Sequence, residues 1–245
     1  MSACRLELDA AQAALRRHRA AFDTFSQQLI ECNKTTNLTR LTTVEAIALR
    51  HFLDALAALP VLDAAAANRE TFSLIDIGSG AGFPALAIAI ARPQWRIVSL
   101  EATDKKVQFQ RQICKTLGLG NVDVLHGRAE MAAHRTALRE GFDAATARAV
   151  APLAMLAELA MAFVRPQGLG LFWKGSQVEQ ELAAAVPSFG RMGASLTSLW
   201  TYTLPPQADD VDDAAFYLVA AQKCDAAPAA YPRQNFAAIK KRPLR

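Results

Sequence analysis

"LIDIGSGAGFP", residues Leu74 to Pro84, sets the terms of the reading. An apolar, β-prone run enters three glycines at every second position, Gly78, Gly80 and Gly82, and leaves through Phe83 and Pro84. Glycine removes the Cβ and permits positive φ, so this turn admits a ligand close to the backbone. The spacing is Gly-x-Gly-x-Gly, which departs from the Gly-x-Gly-x-x-Gly fingerprint of pyrophosphate-binding turns. No Gly-Lys-Ser/Thr follows, which excludes a P-loop. A helix is expected to start here. Pro84 suits its first turn because its missing N–H would be unpaired there anyway, and Phe83 would present an aromatic ring to the ligand.

Downstream, strand and helix patterns alternate. "RIVSLE", "VDVLHG", "FDAATAR" and "GLGLFWKG" read as strands, and "ALAIAIA", "KKVQFQRQICKTLGL" and "APLAMLAELAMAFV" as helices. Short connections between them predict a mostly parallel sheet covered on both faces. "SLTSLWTYTLP" and "AFYLVAAQK", joined by the acidic "PQADDVDDA", have no helix between them. They predict an antiparallel hairpin at one edge, an ending uncommon in dinucleotide-binding folds and common in methyltransferases. Upstream, "DAAQAALRRHRAAFDTFSQQLIE" carries Leu15, Phe22, Phe25 and Leu29 at helical spacing. Thr42, three residues before Glu45, predicts a capping box for "VEAIALRHFLDALAAL". The expected organisation is a helical segment over 1–66, an α/β domain over 67–230 and a basic tail over 231–245.

Other strand ends point back to the glycine turn. Glu101 closes the second strand, where a carboxylate can accept hydrogen bonds from both ribose hydroxyls of an adenosine-type ligand. Ala129 and Glu130 follow the third strand, placing a small residue and a carboxylate near an adenine edge. Arg148 ends the fourth. Ligands of open α/β sheets lie beyond the carboxyl ends of the strands, so these residues are expected to share one pocket.

The 245 residues carry 27 basic and 23 acidic side chains. Arg233, Lys240, Lys241, Arg242 and Arg245 stand in the last fifteen residues without an acid, so the excess of positive charge is terminal. A basic end on a near-neutral body suits a polyanion-binding arm or a plain solvated tail. Cys4, Cys32, Cys114 and Cys224 have no metal or redox spacing, and no secretory signal opens the chain, so a reducing cytoplasm is expected. The longest apolar stretch, Ala149 to Val164, contains Pro152 and Glu158 and reads as a buried helix, with no membrane role.

"IDIGSGAGFP", "GRAE" and "TARA", in that order, resemble the RsmG (GidB) family of S-adenosylmethionine-dependent methyltransferases of bacterial small-subunit ribosomal RNA. "NKTTNLT", "RHFLDA", "FWKG" and "YPR…KKRPL" resemble further segments of that family. The chain departs from it at Cys32, where a Trp often stands, and at Ala55, where a Ser does. The resemblance implies a Rossmann-like class I methyltransferase fold. It implies an S-adenosyl-L-methionine pocket on Gly78, Gly80, Phe83, Ala129, Glu130 and Arg148, with Glu101 as the ribose acid and Asp76 turned towards the methionine amino group. The implied reaction is methylation of guanine N7 in 16S ribosomal RNA, free or in the small subunit, by a monomer. N7 has a lone pair and no proton, so no general base is required and no catalytic acid–base residue is expected. The chain has no Asn/Asp-Pro-Pro-aromatic motif after the fourth strand, as a base-amino methyltransferase would, and no Pro-Cys pair for attack on a pyrimidine. Candidate RNA contacts are Asn33, Lys34, Asn37, Arg40, Arg50, His51 and the tail residues Arg233, Lys240, Lys241 and Arg242. Three rivals stand beside this reading: a nicotinamide-dependent reductase, against which Tyr202, Tyr217 and Tyr231 all lack a Lys four residues on; a methyltransferase acting on another RNA, a small molecule or a protein; and a non-catalytic RNA-binding assembly protein. No metal site is expected.

Overall fold

The structure is a computed structural model describing residues 3–206 and 215–244. Most of the acidic loop expected before the last strand, and Arg245, lie outside the described residues. Strands β1 (Cys4–Arg5), β2 (Ser73–Ile77), β3 (Arg96–Glu101), β4 (Val122–His126), β5 (Phe142–Arg148), β6 (Val164–Lys174), β7 (Ala194–Tyr202) and β8 (Phe216–Lys223) form one sheet. Its order is β1-β7-β8-β6-β5-β2-β3-β4. Strands β2 to β6 pair in parallel, and β8 runs antiparallel to both β6 and β7. The last two strands thus pair as expected, with β8 inserted beside β6. The outer edge of β7 is covered by β1, a two-residue parallel pairing of Cys4 and Arg5 with Trp200 and Thr201 that no sequence pattern announced.

The helices are α1 (Asp9–Arg17), α2 (Arg19–Thr36), α3 (Val44–Ile47), α4 (Asp54–Leu56), α5 (Leu59–Ala66), α6 (Ala85–Ala91) and α7 (Asp104–Leu117). They continue with α8 (Ala129–Ala132), α9 (Leu153–Ala160), α10 (Val178–Arg191) and α11 (Phe236–Lys241). Helix α6 is apolar on every face because it is buried on every face. The sheet lies on one side of it and the N-terminal helices on the other, with Phe25, Phe52 and Phe83 meeting in one core. On the opposite face, α9 and α10 bury Phe163, Phe172 and Phe189. The N-terminal helices therefore complete the same hydrophobic core as the sheet.

Two local departures matter for the site. The capping box at Thr42 does not form; Thr43 is the cap, its hydroxyl accepting from Ala46 N at 3.2 Å, because α3 starts one residue later than the pattern suggested. Between α3 and α4 the chain makes a π turn over Ala48–Leu53. Asp54 N there donates to Leu49 O and His51 O and skips Arg50 O. Single π turns concentrate at functional sites because the skipped carbonyl becomes available to another group.

Candidate active site

The glycine turn takes the conformation its composition allows. Gly78, Gly80 and Gly82 have φ of +68°, +60° and +101°. A Cβ on Gly78 would lie 2.9 Å from Val150 Cγ2, and one on Gly82 would lie 2.6 Å from Leu86 Cδ1. Gly78 N donates to Leu100 O at 2.8 Å, tying the turn to the neighbouring strand. Glu101, at the end of β3, finishes the frame. Its Oε2 accepts from Gly80 N and its Oε1 from Thr103 N, both at 2.8 Å. A carboxylate held by two amides is fixed in direction, and each oxygen keeps lone-pair capacity for hydroxyl donors.

A narrow crevice of about 110 Å³ opens beside this frame. Gly78, Glu101, Ala129 and Glu130 line it, together with Val150 and Phe236. Four of the residues expected to share a pocket are thus brought together. Gly80 is not in the wall: its amide is spent on Glu101. Arg128, the cation at the rim, is paired with Glu130 at 2.6 Å. The donor set fits an adenosine with free ribose hydroxyls and offers no uncommitted cation for a phosphate.

Two side chains expected in that pocket are turned elsewhere. The Phe83 ring is only 4% exposed; it stacks on Phe25 at 5.2 Å and on His51 at 4.5 Å. Arg148 reaches towards the π turn. Its Nη1 meets Asp54 Oδ2 at 2.7 Å and Arg50 O at 3.1 Å, and its Nη2 meets His51 Nδ1 at 3.1 Å. The carbonyl released by the π turn is the one Arg148 uses. Asp54 also accepts from Tyr202 Oη through Oδ1, and its carbonyl accepts from Trp173 Nε1 at 2.8 Å. Asp76, expected near the methionine amino group, is held by internal hydrogen bonds. Fully buried, it accepts from Thr146 Oγ1 at 2.8 Å and Ala85 N at 3.3 Å. Burial pushes its pKa up to about 7, against the opposing pull of those hydrogen bonds.

Arg148 and Asp54 line a second, larger cavity of about 570 Å³ with Arg50, Trp173, Lys174 and Phe216. Val150 borders the first crevice, and Ala149 and Ala151 border the second, so one short turn after β5 separates them. Ala149 sits at φ +57°, a strained conformation for a residue with a Cβ, and such strain persists where surrounding structure imposes it.

The expected RNA contacts divide. Asn33 is an internal clasp: Oδ1 accepts from Leu38 N and Thr39 N, and Nδ2 donates to Thr39 O. His51 has its pKa pushed down to about 3, first by burial and then by Arg148, so it is neutral. Its Nδ1 accepts from Arg148, which assigns the proton to Nε2, donated to Thr39 Oγ1 at 2.7 Å. Arg233 is bound to the buried Glu158. Lys34, Asn37, Arg40, Lys240, Lys241 and Arg242 are exposed, and Arg50 lies over the Phe216 ring at 5.1 Å. His126 and His134 bond main-chain oxygens of Ala102 and Pro232. Among the described residues no cluster of His, Cys, Asp or Glu could hold a metal.

Residues 18–199 match the family described as GidB, rRNA small subunit methyltransferase G. A ribosomal RNA small subunit methyltransferase G from Leuconostoc citreum is 38% identical over 87% of this chain and 86% of its own. One from Limosilactobacillus fermentum is 36% identical over 91% and 89%. The chain belongs to the rRNA small subunit methyltransferase G family. Its fold is that of class I methyltransferases. A 16S rRNA (adenine(1408)-N(1))-methyltransferase from Catenulisporales acidiphilia superposes with a TM-score of 0.51 at 14% identity, over 69% of this chain and 92% of that one. Within this family member, the residues that sequence reasoning missed are Arg128, Val150, Glu158 and Phe236. Glu158 had a signal: a carboxylate inside an otherwise apolar helix needs a partner. Phe236 had a weaker one, standing with Ile239 and Leu244 in a segment too apolar for a solvated arm.

Proposed function

We propose that this chain transfers the methyl group of S-adenosylmethionine to N7 of a guanine in 16S ribosomal RNA, acting in the cytoplasm as a monomer. The observation that carries the reading is the pair of cavities divided by the turn at 149–151. One suits a phosphate-free adenosine and the other, with Arg50 and Lys174 in its walls, suits a nucleotide. S-Adenosylmethionine supplies, when bound, an electrophilic methyl group on a cationic sulfur. Gly78, Glu101 and Ala129 would hold its nucleoside in the narrow crevice. The target guanine would leave its stack to enter the larger cavity.

The chain's own contribution is position and exclusion of water. Effective molarity from holding two reactants in line supplies a large share of such a barrier. N7 carries no proton, so nothing need remove one. The groups at hand agree with that: His51 has both nitrogens bonded and Asp54 has both oxygens bonded. Positive charge passes from sulfonium to guanine, and Asp54 and Glu181 border the receiving cavity. Lys34, Arg40, Lys240 and Lys241 are the exposed cations we assign to rRNA phosphates. Among the described residues no helix is long and apolar enough to cross a membrane.

Borohydride–aniline cleavage of 16S rRNA from cells with and without the gene tests this. A cut present only with the gene is expected; identical patterns in both strains would refute the N7 assignment.

A further inference from the structure

The last fifteen residues have the charge of a free arm, yet residues 231–244 are fastened to the body at several points. Arg139 Nη1 donates to Tyr231 O at 2.8 Å, and His134 Nε2 meets Pro232 O at 2.7 Å. Arg233 grips Glu158, a carboxylate with no exposed surface, through three bonds. Its main-chain N and Nε reach Oε1 at 2.7 and 2.9 Å, and its Nη2 reaches Oε2 at 2.7 Å. Ile239 is fully buried against Met155 and Leu159, and Leu244 O accepts from the Ser188 hydroxyl. A buried carboxylate is costly unless paired, so Glu158 makes docking of the tail a condition of the folded state.

What the docking achieves is the placement of Phe236. Three residues past Arg233, its ring stands in the wall of the crevice that also contains Gly78, Glu101 and Ala129. Leu159 lies in the same wall, and the Arg128 guanidinium stands 5.0 Å from the ring centroid, its charge balanced by Glu130. We propose that Phe236 is a cofactor-contact residue, its ring packing on the adenine of the bound methyl donor, and that Arg233 is the positioning residue that holds it there through Glu158. The adenosine site is then built from both ends of the methyltransferase region, and the tail is part of it. Lys240 and Lys241, exposed on either side of the buried Ile239's helical face, remain outward for phosphates. This inference rests on the methyl-donor reading above.

Base–aromatic stacking of ordinary strength corresponds to between about 5-fold and about 150-fold in affinity. Calorimetric titration of the full chain with S-adenosylhomocysteine should show Phe236→Ala raising Kd about tenfold. Phe236→Tyr should stay within about twofold, and the ligand-free melting temperature of both should stay near that of the native chain. Phe236→Trp should add a fluorescence signal that S-adenosylhomocysteine changes saturably, beyond the response of the native tryptophans. Arg233→Lys, which loses the forked grip on Glu158, should weaken binding in the native background and have little further effect with Phe236→Ala. Unchanged Kd in Phe236→Ala, with the native chain binding normally, overturns the role of Phe236 and leaves the donor reading intact. Equal losses from Arg233→Lys in both backgrounds overturn the positioning role. A native chain that binds no S-adenosylhomocysteine overturns both readings.

Discussion

Asp76 offers a test of how the glycine turn is held. The residue is 0% exposed, and burial raises its pKa from 3.8 to about 7; the nearest charges acting on it are Arg148, which lowers it, and Glu101, which raises it. The folded chain therefore keeps a proton on Asp76 over a range in which the unfolded chain has released it. Stability is linked to pH through that difference in bound protons. In this term the chain is most stable below about pH 4, loses stability as pH climbs towards 7, and is flat above. A shift of about three units, at about 1.4 kcal/mol each, sets a ceiling of about 4 kcal/mol. Asp76→Asn removes the term while keeping the shape: its oxygen can accept from Ala85 N and its amide can donate to Thr146 Oγ1. Urea unfolding of native and variant chains between pH 5 and pH 8 isolates Asp76, because all other titrating groups cancel in the difference. The variant should gain on the native chain as pH rises, by up to about 2.6 kcal/mol over the range. A gap that stays constant, or a native chain that is the more stable at pH 8, would refute the argument. The functional counterpart is that a carboxylate unfavourable in the free chain can favour a cationic ligand above it. Asp76→Asn should therefore weaken S-adenosylmethionine binding more at pH 8 than at pH 6.

Other substitutions probe the frame around the two cavities. Asp54→Asn leaves Arg148 buried without its counter-charge and should lower unfolding free energy in urea by about 3 kcal/mol, since breaking a buried pair from one side is strongly destabilising. Glu101→Gln can no longer offer a charged oxygen both to an amide and to a hydroxyl at each end. Calorimetry should show S-adenosylhomocysteine affinity falling about 10- to 100-fold, in line with hydrogen bonds to charged groups. Lys240→Ala with Lys241→Ala should reduce the slope of log affinity for 16S rRNA against log salt by about 2, while S-adenosylhomocysteine binding is unchanged.

The backbone of the site was legible in the sequence because its signals are local. Glycines at alternate positions, a carboxylate closing the next strand and a small residue after the third are each set by a few neighbours, and Gly78, Glu101, Ala129 and Glu130 do meet. Side-chain direction was not legible. Phe83 and Arg148 stand where expected along the chain, but what covers the sheet decides where they point. Phe83 is drawn into the cluster of Phe25 and Phe52, and Arg148 is drawn to Asp54, 94 residues away. The π turn escaped for the same reason: residues 44–59 have an ordinary helical pattern, and the skipped carbonyl at Arg50 is useful only once Arg148 is beside it. Charge counting misjudged the tail because it ignored Phe236, Ile239 and Leu244 and left Glu158 without a partner.

These misreadings share a cause with chemical content. The strand-end residues were taken to surround one pocket, since a single rule about carboxyl ends covers them all. On the proposed reading a methyl transfer needs two binding spaces that open onto each other, so that nucleophile, methyl and sulfur can come into line. The turn at Ala149–Ala151 forms part of the wall between the two cavities: Val150 borders the narrow crevice, and its neighbours border the larger one. The wall cannot be thickened cheaply on its inner side, because a Cβ at Gly78 would already press on Val150 at 2.9 Å. Arg148, by binding Asp54, anchors the N-terminal helices to the base of that wall. The helical segment therefore braces the larger cavity as the docked tail braces the narrow crevice, and the turn after β5 stands between the two.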